Sequence, residues 1–125
     1  MDHDRFIKLV AERAGVSREQ AEALTEATLA TLAQRITGGE AKDLASQLPK
    51  PLQPPLLRPD EPAERFDLDE FTRRVATRAG LDPEQAGNGV RAVFATVREA
   101  VTGGEFDDVL AQLPADFRQL AVSGT

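Results

Sequence analysis

Carboxylates and arginines are the side chains of this sequence best suited to chemistry. Cysteine is absent, and the single histidine is His3. The lack of cysteine excludes disulfides, thiolate metal sites and a cysteine nucleophile, and one histidine excludes a multi-histidine metal cluster. A serine–histidine–aspartate triad is not expected either. With so few general acids and nucleophiles, the sequence predicts a protein that is not an enzyme and has no catalytic residue, cofactor or metal.

Two Gly-Gly-Glu sequences, at 38–40 and 103–105, resemble the start of a phosphate-binding loop. A Walker loop continues with Gly-Lys-Ser/Thr, whereas the residues at 40–42 are Glu-Ala-Lys and those at 105–107 are Glu-Phe-Asp. A carboxylate directly after the glycines would repel phosphate. We therefore interpret each Gly-Gly pair as the C-terminal end of one helix joined to the start of the next.

The acidic residues Glu105, Asp107 and Asp108 could supply oxygen ligands to Ca²⁺ or Mg²⁺. They lack the alternating Asp/Asn residues and the final Glu of an EF-hand loop, and the matching segment has only Glu40 and Asp43. We favour the alternative that these acids stabilise the positive end of a helix dipole.

Arg13 and Arg78 lie 65 residues apart at equivalent positions near the ends of two predicted helices. They could form a paired anion site between the two halves of the chain. The favoured alternative is that each complements a helix dipole and pairs with an acid of its helix. Arg73 and Arg74, together with Arg78, form the one locally basic face, but the net charge of −6 argues against a nucleic-acid partner.

An internal repeat organises these residues. Residues 4–49 align without a gap to residues 69–114, with 21 identities in 46 positions. The expected single domain, 1–125, thus consists of a first repeat (2–49), a connector (50–66) and a second repeat (67–122). The connector holds five of the eight prolines, so we expect an extended segment on the surface, neither helix nor central strand, held by its apolar residues.

Each repeat is predicted to contain three helices, because apolar residues recur at helical spacing and no strand-like alternation is seen. Gly15 and Gly80 are placed to end the first helices, and capping boxes at 17–20 and 82–85 to begin the second. The predicted helices span about 4–14, 17–37 and 40–48, with a short C-terminal helix after the second repeat. We expect an all-α fold of two tandem three-helix repeats packed as a pseudo-twofold helical bundle. Pairing of each repeat with a copy in another chain is the alternative.

Phe106, Phe117 and Leu120 are the apolar residues whose burial the sequence leaves most open. Exposed together, they would mark a partner or dimer surface. The favoured alternative is that they close the second half of the core.

Two motifs of the second repeat resemble a known family. They are Phe71-x-x-x-Val75-Ala76-x-Arg78-Ala79-Gly80 and Thr102-Gly103-Gly104-Glu105-x-x-Asp108-Val109-x-Ala111-Gln112-Leu113-Pro114. This pattern is similar to the bacterial domain of unknown function 2267, and the resemblance covers residues 4–120. It implies an all-helical, commonly duplicated unit and a regulatory, stress-related role. It implies no activity, cofactor or catalytic residue.

The function expected from the sequence is a non-enzymatic, protein-binding or regulatory module that binds another protein or itself. The alternative is a small anion- or ligand-binding module between the repeats. No apolar run approaches the roughly 20 residues that cross a bilayer, and the acidic N-terminal residues do not form a secretory signal. We therefore expect a cytoplasmic protein without a membrane partner.

Overall fold

The computed structural model describes residues 1–57, 62–118 and 120. Six α-helices occur in this part of the chain: α1 (His3–Ala14), α2 (Arg18–Arg35), α3 (Gly38–Ser46), α4 (Leu68–Ala79), α5 (Pro83–Ala100) and α6 (Gly103–Ala111). Three 3₁₀ turns follow α3 and α6, at Lys50–Leu52, Pro54–Leu56 and Ala115–Phe117. The described residues contain no strand. The predicted all-helical bundle is confirmed.

Local sequence signals set most of the helix ends. Gly15 and Gly80 adopt the left-handed conformation, with φ of 68° and 70°, and end α1 and α4 as predicted. The capping boxes at 17–20 and 82–85 are both formed at the starts of α2 and α5. These signals act through neighbouring backbone groups, so they need no tertiary contact to be effective.

The Gly-Gly pairs do not end the second helices, contrary to the prediction. The helices α2 and α5 stop at Arg35 and Ala100, and Gly38 and Gly103 are already the first residues of α3 and α6. Each glycine pair follows a threonine N-cap, whose hydroxyl accepts a hydrogen bond from the amide three residues later. The Thr-Gly-Gly-Glu sequence is therefore an N-terminal helix signal.

The core lies between the two repeats. The two long helices α2 and α5 contact each other at the centre, and α1 packs more extensively against α5 than against its own neighbour α2. In the same way α4 packs mainly on α2. The long helix α2 is buried over a wide face that the sequence analysis did not identify: Ala21, Leu24, Ala27 and Thr31.

The first residues of the connector, 50–57, differ from the extended segment that the prolines predicted, and residues 58–61 lie outside the described residues. The connector begins with two 3₁₀ turns, because proline at the first positions of such a turn needs no amide donor. Leu52 and Leu56 are buried, whereas Leu57 is 51% exposed. The end of the connector is also fixed: the Phe66 ring lies 3.9 Å from the Arg74 guanidinium carbon, and the Phe66 carbonyl accepts a hydrogen bond from Arg35.

Replacing Thr25 by valine is expected to raise the free energy of unfolding by about 1 kcal/mol. The Thr25 side chain is fully buried and its Oγ1 has no hydrogen-bond partner in the described chain. Valine has nearly the same shape, and Val90 occupies the equivalent position of α5. Urea unfolding followed by circular dichroism measures the change.

Thr31 provides the matched control, since its buried hydroxyl donates to the Ala27 carbonyl and accepts from Arg78. Thr31→Val should lower the free energy of unfolding by about 1–3 kcal/mol. Equal or lower stability of Thr25→Val than of the wild type would show that its hydroxyl is satisfied in solution.

Candidate functional site

The two equivalent arginines make reciprocal contacts between the repeats. Arg13 Nη1 donates to Thr96 Oγ1 at 3.0 Å, and Arg78 Nη1 donates to Thr31 Oγ1 at 2.7 Å. Both threonines are fully buried, and each also donates to a carbonyl one turn earlier in its own helix. Each arginine thus completes the hydrogen bonding of a hydroxyl buried in the opposite repeat.

The contacts of Arg13 differ from those expected for the paired anion site considered from the sequence. Arg13 Nη2 also bonds Glu99 Oε1 at 2.6 Å, so its charge is already opposed by a carboxylate of α5. For Arg13 the acid partner lies on α5 and not on its own helix, which differs from the ion pair expected in the favoured alternative. The partners lie on the other repeat because α1 packs across onto α5.

The two glutamines of the Gln-Leu-Pro sequences also make reciprocal contacts. The Thr37 amide donates to Gln112 Oε1 at 2.9 Å, and the Thr102 amide donates to Gln47 Oε1 at 2.7 Å. Gln112 Nε2 further donates to Thr37 Oγ1. Each glutamine therefore caps the third helix of the other repeat, which explains why Thr-Gly-Gly-Glu and Gln-Leu-Pro recur together.

These caps leave Glu40 and Glu105 free to meet. In a capping box, the glutamate three residues after the threonine would bond the threonine amide, but here the glutamines occupy those amides. Carboxylate oxygens of Glu40, Asp43 and Glu105 all lie within 4.8 Å of one another. Oε1 of both glutamates is buried and has no hydrogen-bond partner in the described chain.

Electrostatics at this carboxyl cluster favour a bound proton. Burial raises the pKa of Glu105 to about 7, helped by the neighbouring Glu40 carboxyl and by the negative charges of Glu40, Asp43 and Asp108. A cation could also approach these oxygens. Mg²⁺ and Ca²⁺ take six or more oxygen ligands, however, so most of their ligands here would have to be water, and the buried Oε1 atoms restrict its access.

Of the three acidic residues considered from the sequence as cation ligands, only one belongs to the carboxyl cluster. Glu105 enters the carboxyl cluster, whereas Asp107 and Asp108 are exposed. Glu40 and Asp43 belong to the other repeat, and nothing in the sequence alone shows that they approach Glu105. The recurrence of Glu-x-x-Asp at the same offset was the signal that could have suggested this meeting.

A groove of about 750 Å³ lies along the first repeat. Ile7, Ala30 and Leu52 contribute apolar lining, and Glu22 and Glu26 contribute carboxylates from successive turns of α2. The prolines of the first two 3₁₀ turns also line the groove. The sequence analysis missed this feature, because it depends on how the connector folds back against α1 and α2.

His3 and Arg78 are the basic side chains of this groove. Arg78 is the one lining residue named here that comes from the second repeat, and Arg13 does not line the groove. A smaller cleft of about 360 Å³ contains Arg73, Arg74 and Arg78. Arg74 is paired there with Glu70 and Glu64, which weakens the basic face noted in the sequence.

Phe106, Phe117 and Leu120 are buried within the chain itself. The Phe117 ring lies edge-on to the Phe71 ring at a centroid distance of 5.2 Å. These residues therefore close the second half of the core, as favoured above, and do not form an exposed partner surface.

No helix in the described part of the chain has the length and apolar character needed to span a membrane. A comparison with curated proteins finds no match. A family model described as "Uncharacterized conserved protein (DUF2267)" matches residues 3–120. Since this match covers nearly the whole sequence, the chain belongs to the DUF2267 family of uncharacterised conserved proteins.

Proposed function

We propose that this chain is a non-enzymatic binding module whose groove takes a short segment of a partner protein, with a basic residue beside an apolar one. The groove, with its acidic α2 wall and apolar lining, is the observation that carries the proposal. We place the role of such a module in regulation, as the family resemblance implies.

The charge on the α2 wall supports a basic partner segment. Glu22 and Glu26 are one helical turn apart, so they fit two basic groups at similar spacing. Glu22 is bonded to Arg18. Glu26 is exposed and forms no ion pair within the described residues, so its carboxylate is available to a partner. The net charge of −6 would also steer a basic segment toward the protein.

The apolar surroundings support a protein segment rather than a small anion. Met1 and Leu57 are the large hydrophobic side chains exposed in the described chain, at 41% and 51%. Each lies two residues along the sequence from a residue that lines the groove, His3 and Pro55. The apolar lining and these exposed side chains together offer contact area that a simple anion would not use.

The second repeat does not offer the same surface. Gly87 and Arg91 stand at the positions equivalent to Glu22 and Glu26, and Asp116 stands at that of Pro51. The groove is therefore a property of the first repeat and the connector. This asymmetry favours a single partner site per chain.

We expect a short synthetic peptide with lysines at i and i+4 among leucines to shift the backbone NMR signals of α1, α2 and the first two 3₁₀ turns. A peptide with glutamates in place of the lysines should shift none of them. Glu26→Lys should weaken binding of the lysine peptide about tenfold, because it replaces attraction with repulsion at the groove.

Glu84→Lys is the matched control, since Glu84 is an exposed acid of α5 and the substitution changes the net charge by the same amount. It should leave the affinity unchanged. Equal binding of both peptides, or an equal effect of both substitutions, would mean that the groove does not select a basic segment.

A further inference from the structure

We propose that Glu40 and Glu105 form a pH-sensitive switch between α3 and α6, closed while the two carboxyl groups share one proton and loosened once both are ionised. Neither the family description nor the proposed groove assigns a role to this pair. The switch lies at the contact between the third helices of the two repeats.

The position of the pair in its helices supports this role. Glu40 and Glu105 are the third residues of α3 and α6, where a glutamate ordinarily bonds the N-cap amide. Gln112 and Gln47 bond those amides instead. The fold thus turns both carboxyl groups away from capping and toward each other, although this places two acids at one contact.

The contact between Glu40 and Glu105 leaves two buried carboxylate oxygen atoms without a hydrogen-bond donor. Oε1 of Glu40 and Oε1 of Glu105 are out of contact with solvent and have no hydrogen-bond partner in the described chain. Two carboxylates in this arrangement would repel each other and would leave buried acceptors unsatisfied. One proton on the pair removes one negative charge and supplies a donor.

The charges that raise the pKa of Glu105 have the same sign. They are Glu40 and Asp43 from α3 and Asp108 from α6. The other elements packed against these two helices are α2, α5 and the second 3₁₀ turn, and they add no charge to this set. Within the described residues no basic group is among the causes of this shift, so a proton is the neutralising partner that these contacts support.

The buried neighbours of the pair connect its ionisation to the core. Ala41 follows Glu40 and Phe106 follows Glu105, and both side chains are buried. Repulsion between the two carboxylates would separate α3 from α6 where these side chains enter the core. Ionisation of the pair is therefore expected to expose apolar surface at this end of the bundle.

The direction of the pH effect follows from the raised pKa. Glu105 titrates near 7 in the folded protein, against 4.5 as its ordinary value. Between these pH values the folded protein holds a proton that the unfolded chain has released, so stability falls as the pH rises. The stabilisation is fully present below pH 4.5 and is lost above about 7.

Thermal unfolding from pH 5 to 8 in EDTA, with ¹³C NMR of the labelled glutamate carboxyls, tests the switch. We expect the unfolding equilibrium constant to rise with pH, by at most about tenfold per pH unit for one proton. One glutamate carboxyl should titrate near neutral pH, and the α3 and α6 amides should lose protection from hydrogen exchange above it.

Glu105→Gln keeps a donor for Glu40 without the charge, so it should remove most of this pH dependence and be more stable than the wild type at pH 8. Asp107→Asn, which alters an exposed acid of the same helix, should retain the pH dependence. Should Glu105→Gln fail to fold, Glu40→Gln must give the same loss.

Two results would overturn the proposal. Titration of every glutamate carboxyl below pH 5 would show that no proton is shared. Alternatively, a pH dependence of stability that Glu105→Gln leaves unchanged would show that the carboxyl pair does not carry it.

Discussion

Replacing Phe117 by alanine is expected to lower the free energy of unfolding by about 3–5 kcal/mol. The Phe117 side chain is 0% exposed, and its ring contacts those of Phe71 and Phe94 at centroid distances of 5.2 and 6.1 Å. Alanine would leave a cavity among these aromatic rings, since neighbouring helices hold them in place. Urea unfolding followed by far-UV circular dichroism measures the loss, because the chain has no tryptophan or tyrosine.

Leu57→Ala is the control for this substitution, because the Leu57 side chain is 51% exposed. It should change stability by no more than about 0.5 kcal/mol. The competing view of Phe117 as a partner surface makes a different prediction: the alanine variant would keep its stability and lose self-association in light scattering. That outcome would contradict the buried position described above.

Exchanging Leu24 and Gly89 is expected to show that the packing of the two repeats depends on complementary side-chain sizes at this contact. A Cβ at Gly89 would lie 2.4 Å from Cδ2 of Leu24, so the leucine fills the space that the glycine leaves. Gly89→Leu should therefore destabilise the protein by about 3 kcal/mol through overpacking. Leu24→Gly should cost about 3–5 kcal/mol through the cavity it creates.

The double variant Leu24→Gly/Gly89→Leu again places one leucine opposite one glycine at this contact. We expect it to recover about 3 kcal/mol relative to the sum of the single changes. A simpler cycle is a useful second measurement: Gly89→Ala should destabilise the wild type but stabilise Leu24→Ala by about 1 kcal/mol, the helix propensity gain of alanine over glycine. Additive effects in both cycles would show that the two residues do not interact.

This contact bears on which repeats can pair with each other. Leu24 and Gly89 are 65 residues apart, so each is the other's equivalent in the sequence repeat. Pairing two first repeats from different chains would oppose two leucines, and pairing two second repeats would oppose two glycines. The first arrangement is overfilled and the second leaves a void, so pairing of unlike repeats is favoured.

Helix ends and helix faces were readable from the sequence because they depend on near neighbours. The capping boxes at 17–20 and 82–85, and the left-handed Gly15 and Gly80, all act within a few residues. Family membership was recognisable for a similar reason, since the repeated motifs are short and regularly spaced. The Gly-Gly pairs were misassigned because a glycine pair between two helices suits a C-cap, and the threonine cap before it was overlooked.

Tertiary structure alone decided which side chains meet. The sequence showed that Arg13 and Arg78 occupy equivalent positions. It did not show their contacts with Thr96 and Thr31, because these contacts require α1 and α4 to pack on the opposite repeat. The meeting of Glu40 with Glu105 depends on the same crossing. The groove depends on how the connector returns against α1 and α2. The sequence by itself determined the helices and their ends through local hydrogen bonding, whereas the partners of the charged side chains were decided by long-range packing that no local pattern encodes.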